Sequence, residues 1–141
     1  MKLVAPLAFA VSLAFALAAA GCGASTPTTP TPAAPTITAT FNGTLTQNGS
    51  NVHTFTVGQI GEVDATLTAV AGPVPTIALG FVLGAWDGTN CNPGYENDNA
   101  RQGTVLSGTT TATGIFCVRV FDVLNIAADA TYTYTVTVLH P

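Results

Sequence analysis

The chain has 141 residues, of which 7% are charged and 48% hydrophobic, and its formal net charge is −4. That length holds one domain and little else, and its only basic residues, Lys2, Arg101 and Arg119, cannot neutralise a row of phosphates, which excludes nucleic acid as a partner. A chain this rich in Val, Ile, Thr and Phe has enough apolar surface to form a core, which argues against disorder.

The first element in chain order is an export signal. Lys2 precedes an apolar run over residues 3–17, closed by the small residues Ala18, Ala19 and Ala20, and this is the layout of a secretory leader. A permanent membrane span is the rival reading, since about 18 apolar residues approach the thickness of a bilayer core. Pro6 interrupts the run, however, and no Lys or Arg follows until Arg101, whereas retained spans carry basic flanks that fix their orientation.

Ala19-Ala20-Gly21-Cys22, with Ala19 where leucine is more usual, resembles the lipobox of bacterial lipoprotein precursors. The resemblance implies that residues 1–21 are discarded as a signal peptide and that Cys22 is lipidated with a diacylglyceryl thioether. It implies a membrane partner through that anchor, in the outer membrane if the cell has one, because Gly23 rather than Asp follows the cysteine. Several acyl chains hold firmly, at about 0.8 kcal/mol per buried methylene. Plain secretion after the alanine triplet is the alternative. From Cys22 a linker runs over residues 22–36, and its Pro27, Pro30, Pro32 and Pro35 prevent both helix and ladder formation. The expected form is an extended spacer of about 3 Å per residue.

From Ile37 onward the hydrophobic period is two. Asn42-Gly43 and Asn48-Gly49 each predict a hairpin turn, because Asn-Gly tolerates the positive φ that tight turns need. Both also read as N-x-S/T acceptors, and the turn reading is preferred. His53 alternates with Phe55 and Val57, and Val63, Ala65 and Leu67 alternate with Glu62, Asp64 and Thr66. Ile77, Leu79, Phe81 and Leu83 follow. Residues 86–99, WDGTNCNPGYENDN, read as a polar loop built of turn-formers. In GIFCVRVFD, residues 114–122, the Phe116-Val118-Val120 face is assigned to the core, because Arg119 on the other face is costly to bury unpaired. Residues 130–139 set Tyr132, Tyr134, Val136 and Val138 against a row of threonines. Seven or eight such strands without a helix predict an all-β fold over residues 37–141, an antiparallel two-sheet β-sandwich.

The outline Phe41-x-Gly43-x-Leu45, Phe55-x-Val57, Gly61 before an alternating strand, Phe116-x-Val118-x-Val120 and Tyr134-x-Val136-x-Val138 resembles the bacterial pre-peptidase C-terminal domain. Pro73-Val74-Pro75-Thr76 stands before Ile77 where that family often has an Asp-rich lead-in. The resemblance implies a β-sandwich and accessory binding rather than catalysis.

Candidate sites are few. With Cys22 assigned to lipid, Cys91 and Cys117 remain to pair as a structural disulfide in an oxidising compartment, and no C-x-x-C suggests redox chemistry. Trp86, Asp87, Asn90, Tyr95, Glu96 and Asp98 make residues 86–99 the candidate ligand-contact loop. Its oxygens would suit Ca²⁺ and its aromatics a sugar, but a plain stapled loop accounts for it equally. His53 and His140 lack the converging partners of a metal site, and no other cofactor is expected. Ser107 with His53 and an Asp would compose a triad, yet Ser107 lies outside any G-x-S-x-G elbow. The threonine row reads as a solvent face. The expected function is therefore non-enzymatic: a lipid-anchored cell-envelope protein whose sandwich binds a polysaccharide or protein ligand. The alternative is a structural envelope protein acting only through protein–protein contacts.

Overall fold

The computed structural model describes residues 36–141; the leader, Cys22 and nearly all of the linker lie outside the described residues. Eight strands follow one another: β1 (Ile37–Leu45), β2 (Ser50–Val57), β3 (Gly61–Ala71), β4 (Leu79–Trp86), β5 (Cys91–Ala100), β6 (Val105–Thr110), β7 (Gly114–Phe121) and β8 (Tyr132–His140). They form two four-stranded sheets, β1-β8-β3-β6 and β2-β7-β4-β5, in which every neighbouring pair is antiparallel. The fold is all-β, a sandwich with no helix among the described residues.

Period-two alternation is what makes this packing work, since successive side chains of a strand point to opposite faces. Val63, Ala65, Leu67, Val136 and Val138 line the inner face of the first sheet, and Val57, Leu79, Phe81, Val118 and Val120 that of the second; all are buried. Each large apolar side chain so buried contributes about 1.5–3 kcal/mol. The edge strands β1 and β2 meet on one side of the sandwich, and β5 and β6 meet on the other.

Two local expectations are corrected. Asn48-Gly49 is a turn: Asn48 has φ 57°, and the Gly49 N–H donates to the Thr46 carbonyl at 2.9 Å. Asn42-Gly43, by contrast, lies inside β1, paired with Thr135 and Tyr134. Gly43 is there because the Tyr134 ring lies against it, in space a Cβ would occupy. The expected loop over residues 86–99 is only a short turn, because Cys91–Ala100 forms β5. Asn, Asp and Gly disfavour strands, but β4 is buried on both faces and its second edge needs a ladder partner. Register shifts along the β4–β5 ladder accommodate the poor strand-formers.

The disulfide between Cys91 and Cys117 forms as expected, with a Cα–Cα distance of 5.8 Å. It joins β5 to β7, which are not neighbours; β4 runs between them. Gly84, opposite Cys117 in the register, presents no side chain at that point of β4, and a Cβ there would run into the Asn92 carbonyl. Cys117 is on the outer face as its alternation implies, but it is buried, because the bridge packs with Val82, Trp86 and Phe121 over the sheet.

One buried carboxylate holds the turn end of the sandwich together. Asp122 Oδ2 accepts the Asn48 N–H at 2.9 Å, and Oδ1 accepts the N–H groups of Asn125 at 2.8 Å and Ile126 at 3.0 Å. The residue thereby ties the β1–β2 turn to the β7–β8 connection, whose Ile126 is buried in the core.

Candidate functional site

On the β5–β6 side the two edge strands touch but leave a recess between them. A groove of about 380 Å³ opens there between the edge strands. Val63, Leu83 and Phe116 from inside the sandwich reach its lining, Pro93 and Tyr95 come from β5, and the β6–β7 turn adds Ala112. Val63 and Leu83 are buried core side chains that form its floor, and Phe116 is partly exposed at its side. Tyr95 is 49% exposed and its ring lies against Gly108 of β6, filling the space where a Cβ would stand. No carboxylate or guanidinium lines the groove, and Asn92 supplies its one side-chain amide.

The residues expected to form a ligand-contact loop are distributed rather than convergent. Asp87 serves its own turn: Oδ1 accepts the N–H groups of Thr89 and Asn90 at 2.8 and 2.7 Å, and Oδ2 accepts the Asn92 amide at 2.9 Å. The Asn90 N–H first, then the Asn92 side chain and the Thr89 N–H, pull its carboxyl down to about 2. The Asn90 carbonyl in turn accepts the Asp87 N–H. Trp86 packs against the disulfide on the outer face. Glu96 pairs with Arg119 at 3.6 Å, and Arg119 lies 4.6 Å over the Phe121 ring. Asp98 is exposed on the edge strand. Tyr95 alone of the six lines the groove.

Other candidates separate similarly. Ser107 is on the exposed outer face of β6, whereas His53 is on β2 at the opposite side of the sandwich. His53 stacks on Phe41 at 5.0 Å, and its Nε2 is hydrogen-bonded to the Tyr134 hydroxyl at 2.8 Å. Burial pushes the imidazole pKa down and the Tyr134 phenol up. His140 is buried beside Phe55. Among the described residues no group of three or more His, Cys, Asp or Glu is placed to hold a metal ion. The threonine row of β8 lies on the outer face of its sheet, where Thr135 donates to Asn42 Oδ1 at 2.8 Å and Thr137 lies 3.3 Å from Thr68.

Sequence reasoning missed the groove because its wall residues, Val63, Tyr95, Gly108 and Phe116, belong to four strands. One signal was present: a glycine within a strand pattern, Gly108 in VLSGTT, marks a close approach by another group.

No family model matches the chain, and no curated protein sequence does. Among solved structures, the mitogen of Yersinia pseudotuberculosis is similar, with a TM-score of 0.52 and 16% identity over 74% of this chain and 86% of that one. PliG of Aeromonas hydrophila, a periplasmic inhibitor of g-type lysozyme, aligns with a TM-score of 0.45 and 15% identity, over 73% of this chain and 86% of that one. At 16% identity the likeness to the mitogen is one of fold alone.

Proposed function

We propose that this chain is an exported, non-enzymatic binding protein, lipid-anchored in the cell envelope through Cys22, which receives a partner protein in the β5–β6 groove. The groove itself carries the reading: an apolar recess of about 380 Å³ with a half-exposed tyrosine on its wall. Binding sites are typically concave and mostly apolar, with few polar groups, and tyrosine is a favoured interface anchor. A protein side chain suits this lining better than a polysaccharide does. Asn92, Thr109, Thr110 and Thr111 add hydrogen-bonding groups, but the exposed lining is mostly apolar, and Trp86 and Tyr95 lie on separate surfaces rather than forming one platform. The cross-strand disulfide supports an oxidising, extracytoplasmic location. The separation of Ser107 from His53 supports the absence of a hydrolytic triad.

The test is site-specific photo-crosslinking of the full chain in its own cells. A photoreactive phenylalanine at position 95 is expected to give one discrete protein adduct, and one at position 40, on the exposed outer face of β1, none. The same adducts from both positions, or none from position 95, would overturn the groove reading. Mass spectrometry of the mature amino terminus checks the anchor: a diacylated Cys22 is expected, and an unmodified terminus at any residue refutes it.

A further inference from the structure

The two strands that flank the groove differ in how their free edges are guarded. An edge strand leaves the N–H and C=O groups of alternate residues unpaired, and proteins blunt such edges with proline, charge, bulges or a covering segment. The β5 edge is blunted in these ways. Pro93 has no N–H to offer, the ladder shifts register beside it, and Asn97 Oδ1 takes the Asn99 N–H at 2.8 Å. On the far side of the sandwich the Asn51 amide bridges to the Thr44 carbonyl at 2.7 Å. The β6 edge has none of these. Its sequence, VLSGTT, contains no charge and no proline, and it pairs with β3 in an unbroken register from Gly61↔Thr110 to Thr66↔Val105.

A strand laid against β6 would have a built-in place for its side chains. Residues facing inward would extend the row Leu106, Gly108 and Thr110 and reach the groove alongside the Tyr95 ring, which lies over Gly108. Residues facing outward would lie beyond Ser107 and Thr109, which are paired with Asp64 and Glu62 of β3. Two strand spacings separate these carboxylates from the added strand, about 10 Å, within reach of lysine or arginine. One oxygen of Asp64 is buried with no hydrogen-bond partner among the described residues. The only cations on the described residues are Arg101 and Arg119, apart from the histidines, and Arg119 is paired with Glu96.

Resting on the groove reading above, we propose that the free edge of β6 takes up an extended segment of a partner protein as a fifth strand of its sheet. That segment alternates apolar residues, one seated in the groove, with basic residues on the outer face. Main-chain pairing then gives affinity, and the groove with its neighbouring carboxylates gives selectivity.

The test uses the full chain in non-ionic detergent micelles, with micelles alone as the blank, and three synthetic peptides: KVKFKVK, the shuffled KKVFVKK and the acidic EVEFEVE. Affinity is read by fluorescence polarisation and the contact by residue-resolved amide hydrogen exchange. KVKFKVK is expected to bind about tenfold tighter than the shuffled peptide, with EVEFEVE weakest, and to slow exchange at alternate amides of β6. Val105→Lys with Thr109→Lys, both on the exposed outer face, is expected to weaken KVKFKVK about tenfold while leaving the circular dichroism spectrum unchanged. Equal binding of the shuffled peptide, slowed exchange outside β6, or no binding of KVKFKVK would each overturn the proposal. A crosslink from position 95 without protection of β6 would leave the groove reading standing and remove strand addition.

Discussion

Asp122 offers the most quantitative test of how this sandwich is held together. Its carboxylate accepts three backbone N–H groups, from Asn48, Asn125 and Ile126, and it is only 8% exposed. In Asp122→Ala the Ile126 N–H, which is buried, loses its acceptor at a cost of about 1–3 kcal/mol, and the two part-buried groups add about 1 kcal/mol each, so the sum is about 3–5 kcal/mol. Asp122→Asn keeps Oδ1 but presents an amide donor to the Asn48 N–H, and should lose about 1–2 kcal/mol. The pH dependence has a definite sign. Burial opposes ionisation of Asp122, but the Asn48, Ile126 and Asn125 N–H groups outweigh it and hold the carboxyl below its usual range. The unfolded chain therefore binds the proton first as pH falls. The stabilisation is complete above about pH 4 and is lost as pH falls through the lowered folded-state value. Urea denaturation followed by the fluorescence of Trp86, the single tryptophan, measures both effects. A loss below 1 kcal/mol for Asp122→Ala, or a wild-type-to-variant difference equal at pH 7 and pH 3, would refute the account.

Reduction of the disulfide, or Cys117→Ser with Cys91→Ser, should lower stability by about 3.5 kcal/mol on the chain-entropy relation for the separation of 26 residues, read by the same denaturation with and without reductant. Gly43→Ala should destabilise by about 1–3 kcal/mol, because its Cβ displaces the Tyr134 ring, and the loss of the Tyr134–His53 hydrogen bond should appear in the His53 ring nitrogen shifts. The lowered pKa of His53 makes the unfolded chain take up that proton first. Stability should therefore decline as pH falls below about 6.5, and His53→Gln should flatten that slope in thermal melts. Tyr95→Ala should lower stability by about 1–2 kcal/mol in denaturant titrations, because half of the ring packs over Gly108, while abolishing partner capture.

What the sequence disclosed depended on whether a strand buries one face or two, and whether its partner is near. In β8, and in β3 as far as Leu67, alternation identified the inner face residue by residue, because one side of each strand meets water and the other meets the core; beyond the bulge after Leu67 the phase shifts and Val70 turns inward. The run from Gly114 to Phe121 gave the same answer through the cost of burying Arg119. β5 had no such pattern. Its Asn, Asp and Gly residues state a local preference for turns, and the ladder of β4 together with the bridge to Cys117 overrides that preference. Asn42-Gly43 misled for the converse reason: the glycine answers to Tyr134, 91 residues away, and not to a local turn. Asp122 was hidden because its contact with Asn48 spans 74 residues, although its local contacts with Asn125 and Ile126 are themselves a turn signature.

The placement of the groove relative to the start of the domain bears directly on function. The chain enters the sandwich at Ile37, the first residue of β1, and β1 is the edge of its sheet opposite β6. Three strand spacings, about 14 Å, separate the two edges. On the proposed anchoring through Cys22, the chain would join the sandwich at the β1 edge, whereas the groove and the β6 edge are at the opposite edge of that sheet. The threonine-covered outer face of the first sheet and the disulfide-covered outer face of the second lie between these sides. Reversing this arrangement gives a discriminating experiment: moving the linker to the turn between β6 and β7 by circular permutation should preserve the fold but bring the tether against the groove. Partner capture should then fall while Trp86 fluorescence and the urea midpoint hold, whereas undiminished capture would place the binding surface elsewhere on the sandwich.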